Sequence, residues 1–352
     1  MSEQKGTDMK IILDAMGGDN APLAPVEGAI QAAEQLGVDV VLTGREPDIR
    51  ACLEQLGRKS LPKGMEIVHT QEVITMEDNP ARAFRDKPDS SMTVGLRMLK
   101  AGEGDAFVSA GSTGALLSGA TLTVGRIRGI RRAALAPVVP SASGGMVLID
   151  CGATADCTPE YLLQYAYMGS YYAQKFLGVE KPRVGLLNIG VEPSKGLDLQ
   201  RETYPLLQKA HEEGRIQFVG NIEGREAISQ GVDVLVTDGF TGNIFLKTFE
   251  GCALLFAKKL KGMLLSSGKS KVAALLLKDK VAEFKKEFDP GEIGGTALLG
   301  ISKPVIKAHG SSNAYAFFNA MRQAVSVAQS GIIQDITDNV EYMRVNKVKA
   351  GE

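Results

Sequence analysis

The chain has no Trp, three His and four Cys in 352 residues, and each scarcity narrows what it can do. Cys52, Cys151, Cys157 and Cys252 have neither the paired C-x-x-C spacing of a zinc site nor the density of a disulfide scaffold. Reduced, mostly buried thiols are expected. With His69, His211 and His309 as the whole histidine complement and no serine elbow, a Ser-His-Asp hydrolase is poorly supported. Neither sign of charge is in surplus, since 40 Lys and Arg face 41 Asp and Glu for a net charge of −1. That excludes the basic excess of a nucleic-acid-binding protein, so no nucleic-acid partner is expected and any electrostatic partner must meet a local patch. No run of 18 consecutive apolar residues occurs, and the polar start from Met1 to Met9 has no apolar signal core, so neither secretion nor membrane spanning is expected. Residues 1–8 read as a leader without a function of its own. Walker A and G-x-G-x-x-G loops are missing too, which demotes ATP and dinucleotides as ligands.

What is present is glycine, 40 residues of it, in a chain that is 44% hydrophobic and long enough for a large core. Short β-branched runs alternate with helix-like segments at Lys10–Leu13, Val38–Leu42, Glu66–His69, Ala106–Val108, Met146–Ile149, Val184–Leu187, Gln217–Val219, Val232–Val236 and Val305–Ile306. This alternation predicts an α/β fold, a three-layer, doubly wound and mostly parallel sheet. No fixed repeat or low-complexity linker divides it. The expected organisation is one catalytic unit of two sublobes over residues 9–330, followed by a C-terminal tail over 331–352.

Six of these strands run into loops of related chemistry, and in a parallel sheet such loops meet at the carboxyl edge, where ligands bind. They are Asp14–Asp19, Ser109–Gly114, Asp150–Asp156, Asn188–Gly196, Thr237–Asn243 and Lys307–Asn313. From them come the candidate substrate- and phosphate-binding residues: Asp14, Gly17, Gly18, Asp19 and Asn20; Ser109, Gly111, Ser112, Thr113 and Gly114; Asp238, Gly239, Thr241 and Gly242; His309, Gly310 and Ser311. Free amides at the helix start after Ser112, with neighbouring hydroxyls, suit a phosphate-sized anion; the same residues also read as an ordinary capped helix. Asn243 is a neutral donor fit for a developing oxyanion. Lys195, between Ser194 and Gly196, either carries a positive charge into the cleft or stands as a solvated lysine. His309 is placed to polarise a ligand or to donate a proton. Asp14, Asp19, Asp150, Asp156 and Asp238 sit at strand ends without metal-ligand spacing. They are expected to cap helices or tie loops together, and no metal or cofactor is expected.

Residues 250–288 follow a different pattern. Phe249, Cys252, Phe256, Leu260, Met263 and Leu264 share one helical face, and after Ser266-Ser-Gly268 so do Ala273, Leu277, Val281, Phe284 and Phe288. A helical hairpin is predicted, with nine lysines against three acids between Leu254 and Phe288. Its apolar faces either pack on the body or, through Leu264, Leu265, Leu275 and Leu276 near the turn, enter an anionic bilayer. A second basic run, Arg126-Ile-Arg-Gly-Ile-Arg-Arg132, either receives an acidic protein or forms a solvated or subunit-facing cluster.

Seven motifs in order carry a resemblance: Ile12-Leu-Asp-Ala-Met-Gly-Gly-Asp-Asn-Ala-Pro22, Asp89-Ser-Ser-Met92, Ser109-Ala-Gly-Ser-Thr-Gly-Ala115, Val124-Gly-Arg-Ile-Arg-Gly-Ile130, Leu187-Asn-Ile-Gly190, Asp238-Gly-Phe-Thr-Gly-Asn243 and Ala308-His-Gly-Ser-Ser-Asn-Ala314. From Met9 to about Val327 the chain resembles the bacterial PlsX family of phosphate acyltransferases. The resemblance implies transfer of a long-chain acyl group from acyl carrier protein to inorganic phosphate, giving acyl phosphate for a membrane-bound glycerol-3-phosphate acyltransferase. It also implies a homodimer with a fold like the isocitrate/isopropylmalate dehydrogenases and phosphotransacetylases, held peripherally on the cytoplasmic face of the inner membrane by the hairpin. The catalytic candidates it implies are Lys195 and Asn243. Two other readings stay open: a phosphotransacetylase-like enzyme using acyl-CoA, and a non-catalytic, membrane-bound scaffold for carrier protein.

Overall fold

The computed structural model describes residues 9–345, with the side chains of Lys285 and Pro290 left aside. The expected leader, residues 1–8, lies outside the described residues. Among the described residues twelve strands form two sheets rather than a single continuous one. The first holds β1 (Lys10–Asp14), β2 (Asp39–Gly44), β3 (Met65–His69), β4 (Ala106–Ser109), β5 (Ala134–Ala136), β11 (Gly295–Leu299) and β12 (Val305–Ala308), in the order β3-β2-β1-β4-β12-β11-β5. The second holds β6 (Val138–Ser141), β7 (Gly144–Ile149), β8 (Arg183–Asn188), β9 (Gln217–Glu223) and β10 (Val234–Val236), in the order β6-β7-β10-β8-β9. The chain starts in the first sheet, crosses to the second at Pro137 and returns to the first through β11.

All nine sequence-predicted strands are present and mutually parallel within their sheets, the Val232–Val236 run shortened to Val234–Val236. The central ones are buried on both faces, as at Ile11, Ile12 and Leu13, which is why a continuous apolar pattern reveals them, while β3 and β9 at the sheet edges are only partly buried. The three unpredicted strands, β5, β6 and β11, all join their sheets through antiparallel pairs. Crossover helices Leu23–Leu36, Ser91–Ala101, Pro159–Tyr172 and Asp198–Glu212 cover the sheets, and a helix over Ala314–Gln329 packs on the first of these. Local chemistry starts several helices: Ser90, Ser112, Asp238 and Asn313 each accept a backbone N–H at their own helix N-terminus. One core joins the sheets, with Ile12 and Phe107 of the first packed in the same cluster as Leu148 and Leu235 of the second.

Residues beyond Gly331 are not a tail where they are described. A helix over Ile332–Asp338 and a 3-10 turn over Val340–Met343 bury Ile332, Ile336, Val340 and Met343 in the main core. Their i, i+4 apolar spacing gives them a face that packing can use.

Where a helical hairpin is expected, over residues 250–288, the structure has three helices. Gly239–Leu265 rises from the second sheet, Gly268–Leu276 packs back against it, and Lys278–Glu287 completes the return. Phe249 stacks with Phe288 at 6.5 Å between ring centroids near its base, while much of the apolar stripe faces outward. Leu264 is half-buried, Leu265 is exposed, and Leu275 and Leu276 are 72% and 82% exposed. No helix of the described residues is long and apolar enough to cross a membrane.

Candidate active site

The six glycine-bearing loops sort into two triplets, each from three adjacent parallel strands. Loops after β1, β4 and β12 share the carboxyl edge of the first sheet, and those after β7, β10 and β8 share that of the second. Each edge is a rim of the kind that binds ligands in open α/β sheets.

On the first rim, much of the polar chemistry ties the loops to one another. Asp14 is buried and accepts from Ser109 Oγ at 2.7 Å and Met16 N at 3.1 Å, and burial raises its carboxyl above the usual range. Ser109 Oγ in turn accepts from Gly111 N at 3.0 Å. Gly17 passes so close to Gly111 that a Cβ would lie 2.7 Å from its nitrogen, and Gly18 has φ +104° beside Ala110 and Gly310. The backbone N–H of Asp19 donates to Gly310 O at 2.7 Å, and Asn20 Nδ2 donates to Ser311 O and Ser312 O, both at 3.1 Å. Ser112 Oγ caps its helix by accepting from Ala115 N at 3.4 Å, leaving Thr113 and Gly114 half-buried beside it. So Asp14, Ser109 and Ser112 shape the rim from within, and the exposed polar groups on it belong to Asp19, Asn20, His309 and Ser311.

His309 Nδ1 accepts from Ser311 N at 3.2 Å and lies 2.8 Å from Ser311 Oγ. An accepting Nδ1 puts the ring proton on Nε2, so the imidazole is neutral and a donor. Burial, then the positive charge of Lys247, holds its pKa below the ordinary histidine value. This favours polarisation of a ligand over proton donation by imidazolium.

The second rim is built around Asp150, also fully buried. Its carboxylate accepts from Leu135 N at 2.9 Å, from Thr154 N at 2.7 Å and from Ala153 N at 3.1 Å. Burial outweighs these donors and raises its pKa to about 6. The helix start fits against this loop because Gly239 and Gly242 lack side chains; a Cβ on Gly242 would lie 1.9 Å from Asp150 O. Asp238 caps that helix by accepting from Thr241 N at 2.8 Å. Asp14, Asp150 and Asp238 thus tie loops or cap a helix, as expected of strand-end aspartates, whereas the side chains of Asp19 and Asp156 do neither among the described residues. Asn243, exposed on the helix's first turns, stands over Gly152, the nearest approach being 3.8 Å from a Cβ built there.

The Lys195 loop is braced from both ends. Asn188 Nδ2 donates to Lys195 O at 3.1 Å, Asn221 Nδ2 donates to Glu192 O at 2.8 Å, and Gly196 turns at φ +90°. Lys195 itself is exposed. The loop that carries Lys195 also exposes Ile189, Val191 and Leu197, and the helix start that carries Asn243 exposes Phe240 and Ile244. Lys247, four residues after Asn243, contributes positive charge at Cys151 on the second rim and at Lys307 and His309 on the first.

Sequence reading passed over Lys307. It is a charged residue in a four-residue strand, and it is buried with its pKa lowered to about 8, chiefly by burial. The available signal was a lone lysine between Ile306 and Ala308 in an apolar run. No three metal-ligating side chains cluster among the described residues. Cys52 and Cys151 are buried, Cys157 half-buried and Cys252 exposed, all as free thiols.

The profile of the fatty acid synthesis protein family matches residues 9–335. The chain belongs to this family. Relatives named phosphate acyltransferase include one from Clostridioides difficile, 44% identical over 96% of this chain and 98% of its own, and one from Clostridium acetobutylicum, 46% identical over 95% of this chain and 100% of its own. The resemblance to the PlsX phosphate acyltransferases read from seven motifs is thereby borne out. Among solved structures, a phosphotransacetylase from Streptococcus pyogenes aligns with TM-score 0.62 at 17% identity, covering 92% of this chain and 94% of its own. At that identity the likeness speaks for the fold, an α/β architecture of the phosphotransacetylase kind.

Proposed function

We propose that this family member transfers a long-chain acyl group from acyl carrier protein to inorganic phosphate. The coarse reaction, acyl transfer to phosphate, follows from family membership and from relatives that carry that name over the full chain. The observation that supports the rest is the contrast between the rims. The first offers exposed polar groups and a neutral histidine donor, fit for a small oxyanion. The second sets a lysine and a neutral amide among exposed apolar side chains, fit for a thioester on a fatty chain.

In this reading a phosphate oxygen attacks the thioester carbonyl carbon, and Asn243 orients the carbonyl while Lys195 neutralises phosphate or the tetrahedral oxyanion. Collapse breaks the carbon–sulfur bond, and the proton of hydrogen phosphate passes to the departing thiolate. Acyl phosphate and free thiol result, with no covalent acyl-enzyme needed. Holding both reactants at adjacent rims supplies the proximity that such a step requires.

The hairpin supports the choice of a fatty donor. Its exposed leucines beside a lysine excess suit the surface of an anionic bilayer, so the protein is read as cytoplasmic, peripheral and homodimeric, handing acyl phosphate to a membrane-bound glycerol-3-phosphate acyltransferase. The test is to incubate the purified protein with acyl carrier protein thioester, with and without phosphate, and to weigh the products. Phosphate-dependent acyl phosphate and free carrier protein are expected. Binding without turnover would point to a scaffold, and turnover with acyl-CoA alone to a phosphotransacetylase.

A further inference from the structure

Register places three side chains in one row across the first rim. Leu13 pairs with Val108 and Ser109 pairs with Lys307, so Asp14 and Ser109, the last residues of β1 and β4, lie in line with Lys307, the penultimate residue of β12, on three adjacent parallel strands. All three are buried. An ammonium taken out of water is unfavourable unless something compensates it, and the neighbours of Lys307 in β12, Val305, Ile306 and Ala308, show the apolar filling this strand otherwise uses.

Its hydrogen bonds identify what it does there. Lys307 Nζ donates to Ala110 O at 3.3 Å and to Ala308 O, the carbonyls that open the β4 loop and close β12. A lysine serving Asp14 alone would aim its ammonium at that carboxylate. Asp14 is instead bonded by Ser109 and Met16, and the ammonium goes to the loop backbones. Asp14 and Asp19 of the β1 loop face Lys307 with negative charge, Lys247 of the hairpin helix opposes it with positive charge, and His309 follows it at the end of its own strand.

Resting on the acyl-transfer reading above, we propose that Lys307 is the positioning residue of the phosphate subsite: it fixes the β4 and β12 loops from below and supplies the buried positive charge against which the anion binds. It touches the loops rather than the reacting atoms. Because burial lowers its pKa to about 8, the charge is largely present at neutral pH and is lost as pH rises through that value.

The experiment measures phosphate KM and kcat by acyl-phosphate formation, and phosphate binding by calorimetry with inorganic phosphate, from pH 6.5 to 9.5 for the parent, Lys307→Met and Lys307→Arg (range bracketing lysine titration, about pH 8 to 10). In the parent, phosphate KM should rise above about pH 8. Lys307→Met should raise it about tenfold at pH 7 while kcat stays within about threefold, and Lys307→Arg should restore binding and move the alkaline rise upward. An active, folded Lys307→Met with parental KM and the same alkaline rise overturns the proposal. If neither variant folds by circular dichroism, the parent decides, since a phosphate KM that is level across pH 7 to 9 overturns it equally. A parent that forms no acyl phosphate at any pH rejects the acyl-transfer reading instead, and the calorimetric titrations then judge Lys307 by itself.

Discussion

The carboxylate of Asp150, at the end of β7 in the second sheet, accepts the backbone N–H of Leu135, in an edge strand of the first, at 2.9 Å. One buried side chain thus binds the two sheets where the second rim is built. Asp150→Asn replaces an acceptor with a donor facing N–H groups, and should destabilise the fold by about 1–3 kcal/mol by urea unfolding at pH 7. The pH dependence has a definite sign. The folded state holds the Asp150 proton more tightly than the unfolded chain does, so this carboxyl's contribution to stability falls as pH climbs from about 4 to about 6 and is level above. The stability gap between parent and Asp150→Asn should narrow across that window; a gap independent of pH would show that Asp150 titrates as it does in water.

Gly242 should tolerate no side chain, because a Cβ there would lie 1.9 Å from Asp150 O. Gly242→Ala should cost about 3 kcal/mol of stability and displace the first turn that carries Asn243. Gly251, further along the same helix, has nothing within 4 Å of a built Cβ. Gly251→Ala should therefore raise stability by about 0.5–1 kcal/mol, as expected for an unhindered helical site. Thermal melts of the two variants should move in opposite directions.

Lys195→Ala and Asn243→Ala test the proposed chemistry. Each should leave circular dichroism and the melting temperature close to parental, because both side chains are exposed. Acyl-phosphate formation should fall by about 10²–10³ for Asn243→Ala, the range for loss of one oxyanion donor, and at least as far for Lys195→Ala. Unchanged turnover in either removes that residue from the mechanism.

Leu264→Glu combined with Leu276→Glu tests the hairpin. Flotation with vesicles rich in phosphatidylglycerol should capture the parent and release the double variant, while soluble turnover on a short-chain thioester persists. Equal capture of both proteins would assign the leucines to another contact, such as a second subunit.

The parallel strands, the glycine loops and the helix caps at Ser112 and Asp238 were legible in the sequence, since apolar runs, turn chemistry and N-capping act over a few residues. The hairpin's amphipathic period was legible for the same reason. Strands β5, β6 and β11 were not, being short segments whose status depends on partners far along the chain: Leu135 pairs with Leu298, and Val139 with Met146.

The sequence by itself determined which segments are the parallel strands, which bends need glycine and which family the motifs resemble, because those properties reside in neighbouring residues. Tertiary structure alone decided that the strands divide into two sheets and that the six loops form two triplets. It also turned Ser109 inward as a tie and buried Lys307 beneath a rim. Burial and hydrogen bonding between remote strands set those roles, and no local pattern encodes which distant backbone will be near.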